Sequence, residues 1–163
     1  MNAGAAAASG DVVLFLHADT VLPAGALAAI RGAVADDTVI GGGFLKRYDG
    51  GGRLLRLCGL ALNHVRTRWW KAMVGTQAMF LRREVFRELG GYRDWPLLED
   101  VDLSDRMRRR GQVVVLPLHV IASSRRYLQR GALRQILVNG LVLVLFRLGV
   151  GPDRLVRLYQ GLR

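Results

Sequence analysis

Leu97-Leu98-Glu99-Asp100-Val101-Asp102-Leu103-Ser104 places three carboxylates within four residues, in a chain whose formal charge is +11. A further acid, Asp19, closes the apolar run Val12 to Ala18. An acid at a strand end and an acid cluster opening a helix suit an enzyme that handles a metal-bound, phosphate-bearing substrate. Hard cations such as Mg²⁺ or Mn²⁺ take oxygen ligands, so Asp19 can hold one against a diphosphate. The same residue can instead cap the coming turn. His17 stands two residues earlier, on the same side of an extended chain. It can bond a phosphate or sugar, or satisfy a buried backbone group.

Glu99 and Asp100 are the stronger pair. Acids in the first turn of a helix are favoured by its exposed N–H groups and dipole, with no ligand needed. That does not account for Trp95, Pro96 and two leucines immediately ahead of them. A carboxylate held beside apolar residues can act as general base on a sugar hydroxyl. Asp102 reads as helix support, and Asp105 as solvated surface within reach of Arg108 or Arg109. Arg106, Arg108, Arg109 and Arg110 complement the helix C-terminus. Ser123-Ser124-Arg125-Arg126-Tyr127 offers guanidinium groups for a phosphate and a ring for a base or sugar. Trp69-Trp70-Lys71 is a comparable aromatic–basic patch. Either stretch can also be a packed aromatic with solvated neighbours.

The elements that must position these residues follow from the apolar pattern. Residues 5–8 read as the tail of a helix, closed by Ser9-Gly10. Residues 11–16 run apolar without alternation, which predicts a buried strand of a parallel sheet. Asp19 then falls at its C-terminal end, where open α/β folds bind ligands. Pro23 opens a helix through residue 35 with Leu27, Ile30 and Val34 inward. Gly41-Gly42-Gly43 and Gly50-Gly51-Gly52 mark turns or close approaches of other groups. A helix over 53–65 is expected to turn Leu54, Leu57, Leu60 and Ala61 to one face. Residues 77–81 predict a strand, and Val85, Phe86 and Leu89 a helix stopped by Gly90-Gly91. Residues 99–110 predict a helix with Leu103 and Met107 inward. Residues 113–116 and 119–122 are expected to be extended.

At 163 residues and 51% hydrophobic content, the chain can bury a core within one domain. Lys plus Arg number 24 against 13 for Asp plus Glu, which favours anionic partners: nucleotide phosphates, nucleic acid or acidic headgroups. Cys58 is the only cysteine, so an intramolecular disulfide and Cys-based zinc or iron–sulfur sites are excluded. No Gly-x-Gly-x-x-Gly fingerprint supports hydride transfer. Met1-Asn2-Ala3-Gly4 does not read as a secretory leader. Residues 136–146 are apolar except Asn139 and Gly140, and are too short and interrupted to read as a membrane span. A packed or partner-facing helix, or one lying on a bilayer surface, fits them.

Four stretches arrive in an order that resembles a known family. They are Met1-Asn2-Ala3-Gly4 leading to Phe15-Leu16-His17-Ala18-Asp19-Thr20, then Gly75-Thr76-Gln77-Ala78-Met79-Phe80, then Leu98 to Ser104, then Ser124-Arg125-Arg126-Tyr127. Together they resemble the C-terminal two-thirds of a family 2 glycosyltransferase domain, the inverting GT-A fold. They are most similar to its small bacterial radical-SAM/selenodomain-associated branch. The resemblance implies an α/β fold: a truncated GT-A-like, mostly parallel sheet flanked by helices. Residues 1–131 would be the C-terminal portion of the catalytic domain, and 132–163 a helical segment, packed or membrane-surface associated. Residue 1 matches an internal point of the family domain, so the family's opening base-binding strands are absent and the chain reads as a fragment.

The implied activity is transfer of a sugar from a nucleotide-diphosphate sugar to a hydroxyl acceptor with inversion. Asp100 matches the catalytic base, with Glu99 beside it. Asp19 matches the metal and diphosphate motif, with His17 where the first acid of that motif usually stands. The implied cofactor is Mg²⁺ or Mn²⁺. Arg125 and Arg126 partly match an arginine–aromatic motif near the diphosphate or acceptor. Gly75-Thr76-Gln77 resembles an acceptor-side loop in which relatives carry an acid where Thr76 stands. A lipid-linked acceptor, an anionic membrane surface and a cytoplasmic location at the inner face of the membrane complete the expectation. The rival reading is a basic nucleic-acid-binding or membrane-associated accessory protein, with nucleic acid the less favoured partner.

Overall fold

Short apolar runs punctuated by glycine fold here into one five-stranded sheet. The computed structural model describes residues 1–69 and 71–162, apart from the side chains of Leu62, Asn63, His64 and Arg68. The elements are α1 (Asn2–Ala7), β1 (Val12–Leu14), β2 (Thr20–Val21), α2 (Ala26–Val34), β3 (Val39–Tyr48), α3 (Gly52–Leu62), β4 (Phe80–Arg82), α4 (Arg83–Glu88), α5 (Glu99–Arg110), β5 (Gln112–Ala122), α6 (Arg125–Arg130), α7 (Ala132–Arg147) and α8 (Pro152–Gly161). A π-helical segment, Asn63–Trp69, continues α3, and a 3₁₀ turn, Gly75–Gln77, precedes β4.

The strand order is β1-β4-β3-β5-β2. Only β3 and β5 pair in parallel, while β1–β4, β3–β4 and β2–β5 are antiparallel. The expected mostly parallel, GT-A-like sheet is therefore corrected to a mixed sheet in which antiparallel pairings predominate. The misleading feature was the unbroken apolar run before Asp19. Val13 and Phe15 are buried in one cluster, with Phe86, Leu103 and Met107. Val12 and Leu14 pack against the other, with Ile30, Phe44 and Phe80. Residues from both faces find cover, so the run lacks alternation although its strand is an edge strand with an antiparallel neighbour.

Gly41-Gly42-Gly43 is not a turn but the middle of β3. A Cβ on Gly42 would meet the Val114 carbonyl of β5, and one on Gly43 the Met73 sulfur. These glycines let neighbouring groups approach closely. The two extended segments expected at 113–116 and 119–122 are one strand, β5. Its register with β3 shifts between Phe44 and Leu45, a bulge that carries the strand through Pro117.

Leu103 and Met107 are inward on α5, and Val85 and Phe86 on α4, as their spacing predicts. α3 differs. Leu54, Leu57 and Leu60 are exposed, and the helix packs instead through Leu55 and Gly59, the latter against the Tyr48 ring. α7 and α8 close on each other through Val142, Leu155 and Tyr159, with Leu97 and Leu98 against that cluster. The membrane-associated expectation for this segment is corrected. α7 has 16 residues, and among the described residues no helix is long and apolar enough to cross a membrane.

Candidate active site

The first turn of α5 carries Glu99, Asp100 and Asp102. Leu98 at its N-cap lies in the left-handed region, φ 66°, and has no side-chain cap. A non-glycine residue there is strained, and such strain concentrates at functional sites. It turns the chain from the Trp95-Pro96 loop into the helix, with Leu98 packed toward α7 and α8. Asp100 then bonds in two directions. Oδ1 accepts the Val101 amide at 2.7 Å, and Oδ2 accepts the Gly75 amide at 2.5 Å.

Gly75 is aimed at Asp100 by the turn it opens. Gln77 in that turn is fully buried, and both ends of its amide are engaged. Nε2 donates to the Phe44 carbonyl at 3.1 Å and to Thr67 Oγ1 at 2.9 Å. Oε1 accepts the Val74 amide at 3.1 Å and Arg66 Nη2 at 3.2 Å. A buried amide with four partners has its hydrogen-bonding capacity filled, which fixes the loop. Ala78, in the left-handed region at φ 48°, ends the turn. Ser104 Oγ on α5 accepts the Met73 amide at 2.9 Å and ties the loop to the helix again.

The His17 imidazole lies across Gly75, where a Cβ would collide with Nε2. That nitrogen is buried and has no partner among the described residues. Burial pushes the Glu99 carboxyl above its ordinary range; a backbone hydrogen bond opposes the rise, Asp100 adds to it, and His17 and the chain's amino group oppose it. His17, Glu99 and Asp100 are thus brought together around Gly75.

Asp19 belongs to a neighbouring group. It sits in the turn closed by the Thr20 amide bonding the His17 carbonyl at 3.0 Å. Its own carbonyl accepts the Ser123 amide at 3.2 Å, beside the Thr20–Ala122 pairing of β2 with β5. Its side chain is exposed. Arg125 and Arg126 are exposed at the start of α6, directly after Ser123-Ser124. Asp49, which the sequence reading passed over, accepts the Ser124 amide at 2.7 Å and holds this corner. No hydrogen bond or ion pair joins the Asp19 side chain to the acids of α5 among the described residues. The turn His17–Thr20 is what links the two groups.

Several expectations resolve into packing. Tyr127 has its hydroxyl 3.0 Å from that of Tyr48 and accepts Asn139 Nδ2 at 3.3 Å. Asp102 bonds Arg106 Nε at 2.7 Å, as helix support. Asp105 is not solvated surface: it is mostly buried and paired with Arg147 of α7 and with Arg108. Trp69 is exposed, and Trp70 lies outside the described residues.

Two cations were missed. Lys46, on β3, is 7% exposed, and its Nζ donates to Thr76 Oγ1 at 3.3 Å and stands 4.9 Å from the Tyr48 ring centre. Burial, then the charge of Arg66, lowers it to about 7, while Asp100 opposes the fall. Burial also lowers Arg66, against the opposing influence of Tyr48, Asp100 and Tyr127. A signal for Lys46 was present. It follows Phe44 by two residues in an apolar strand, which places it on the same, buried face.

A cavity of about 880 Å³ is walled by Trp69, Met73, Val74, Val101 and Val144, with Arg66, Arg108 and Arg147 also in its lining. Val74 and Val101 are the chain neighbours of Gly75 and Asp100, which are themselves not in its lining. Another, of about 580 Å³, lies at the α7–α8 corner around Gly149 and Arg154 and includes none of the site residues.

For a divalent cation, no group of three or more His, Cys, Asp or Glu side chains is assembled among the described residues. An exposed single carboxylate at Asp19 suits a cation that takes most of its oxygens from a diphosphate and water, as Mg²⁺ commonly does.

Family comparison completes the picture. The model of glycosyl transferase family 2 matches residues 1–90. The chain belongs to glycosyl transferase family 2. The match is to the family as a whole and names no branch. This glycosyl transferase family 2 region includes His17, Asp19, Lys46, Gly75 and Gln77, while Glu99, Asp100, Arg125 and Arg126 follow it. No curated protein matches the chain.

Proposed function

We propose that this family 2 chain transfers a sugar from a nucleotide-diphosphate sugar to a hydroxyl acceptor, with inversion. The observation that carries the reading is Asp100: a half-buried carboxylate at a helix start, held by the Gly75 amide. Asp100 takes the proton of the acceptor hydroxyl as its oxygen bonds to the anomeric carbon. The bond from that carbon to the diphosphate oxygen breaks on the opposite face, and the nucleoside diphosphate leaves with the electron pair. Glu99, its carboxyl raised by burial, stands beside the base. Arg125 and Arg126 supply positive charge for the leaving diphosphate. Asp19 would hold Mg²⁺ or Mn²⁺, which supplies Lewis-acid stabilisation of that leaving group when bound. The apolar walls of the cavity favour an acceptor with an apolar portion, such as a lipid-linked alcohol.

The test is titration of the full chain with uridine and guanosine diphosphates, with and without Mg²⁺ or Mn²⁺, followed by nucleoside diphosphate release from the corresponding sugar donors. Divalent-dependent binding that weakens in Asp19→Ala is expected. Metal-independent binding, or none at all, overturns the reading. Steeply salt-dependent binding of RNA or DNA in its place would favour the rival module.

A further inference from the structure

The cavity of about 880 Å³ combines apolar walls with charge of one sign. Met73, Val101 and Val144 line it together with Arg66, Arg108 and Arg147, and no acidic side chain is in its lining among the described residues. Val101 and Arg108 stand seven residues apart on α5 and so share one face of that helix. Val144 and Arg147, three apart, share a face of α7. Asp105 sets two of the three guanidinium groups. Its carboxylate pairs with Arg147 through both oxygens and with Arg108 Nη1 at 3.6 Å, which bridges α5 and α7. Arg66, from the π-helical segment, has no ion pair among the described residues. Its Nη2 bonds the neutral Gln77 Oε1, and its Nε is buried with no partner. Three arginines thus share one carboxylate, and two positive charges stand uncompensated beside apolar walls. A buried donor left without a partner is costly, and a charge beside apolar surface calls for an anion.

We infer that this cavity binds an amphiphile with one anionic head group, phosphate or carboxylate, and one aliphatic tail, the head held by the arginines and the tail laid against Met73, Val101 and Val144. Guanidinium forks match the paired oxygens of either head. The tail supplies the apolar contact that a small hydrated anion lacks, and the head supplies the charge that a plain alcohol lacks. A cavity of this volume, mostly apolar with a few placed polar groups, has the form of a small-molecule site. Gly75 and Asp100 are not in the lining, so the binding does not depend on sugar transfer.

The experiment is calorimetric titration of the full chain with decyl phosphate, decanoate, decanol and inorganic phosphate, the amphiphiles kept below their micelle concentrations. Both charged amphiphiles should bind at least about tenfold tighter than decanol, as charge-assisted bonds at the head require. Inorganic phosphate should bind at least about a hundredfold more weakly than decyl phosphate, for want of the tail. A preference for phosphate over carboxylate, or the reverse, names the head. Arg66→Gln should bring decyl phosphate close to decanol, and Arg108→Gln should narrow the same gap if the Arg66 variant fails to fold. Val144 is 56% exposed, so Val144→Trp fills cavity space without overpacking the core. It should weaken both charged amphiphiles by about tenfold, the loss of several buried methylene contacts. Decanol or inorganic phosphate binding as tightly as decyl phosphate overturns the inference. So does an affinity unmoved by Val144→Trp, or no binding below the micelle concentration.

Discussion

The amide of Gly75 donates to Oδ2 of Asp100 at 2.5 Å, across 25 positions of chain. This bond joins the loop before β4 to the first turn of α5. The same Gly75 carries the His17 ring against its α-carbon. One small residue therefore brings the turn after β1 and the acid cluster of α5 into a single site.

Asp100→Asn keeps an oxygen to accept the Gly75 amide and removes the proton acceptor. Transfer should fall by about 10²- to 10⁴-fold, the usual contribution of a general base. The melting temperature and nucleoside diphosphate affinity should stay near wild type. Activity within a few-fold of wild type would remove Asp100 from the chemistry.

Gly75→Ala adds a methyl where the His17 imidazole stands. Overpacking of a filled site costs typically about 1–3 kcal/mol. The loop must move to relieve the clash, which loosens the bond to Asp100. Chemical denaturation should show the loss, and transfer should drop with it. A fully stable, fully active variant would show that His17 moves aside freely.

Gln77→Leu keeps bulk and removes four hydrogen bonds at once. Each buried group left without a partner costs about 1–3 kcal/mol. Thr67, Arg66 and the Phe44 and Val74 backbones all lose one. A destabilisation of roughly 3 kcal/mol or more is expected by urea denaturation. A cost under about 1 kcal/mol would show that the loop does not depend on this residue.

Lys46 also governs stability against pH. Its folded value of about 7 lies below the ordinary 10.5. Between those values the unfolded chain binds a proton that the folded chain does not, so this group makes stability rise with pH. Below about 7 both states are protonated, and the full burial cost is present. Lys46→Met lacks the group, so its advantage over wild type should be largest near pH 6 and shrink toward pH 10, by a change on the order of a few kcal/mol. Parallel stability curves for the two chains would contradict the burial of a titrating lysine.

Much of the local structure was legible from residue types. α5 begins at Glu99 and ends at Arg110 because an acid-rich first turn, inward Leu103 and Met107, and Gly111 agree on one helix. Gly90 and Gly91 stop α4 with positive φ, as expected. The expected sheet failed because an unbroken apolar run reads equally as a central parallel strand or as an edge strand covered on both faces. The triplet Gly41-Gly42-Gly43 left a turn or a close approach open, and the structure decides for close approach. The apolar stripe of α3 shares one face as its spacing predicts, and that face is exposed, while the helix seats through Leu55 and Gly59.

The residue types alone determined where carboxylates and arginines cluster, because charge and helix-start preferences are local. They also carried the family resemblance. Only the tertiary structure decided strand direction, the placement of Lys46 and Arg66 against the Gly75–Gln77 turn, and the separation of Asp19 from the α5 acids into a group reached through one turn. Those features depend on which distant segment supplies each hydrogen bond and each buried countercharge, and spacing along the chain does not encode that choice.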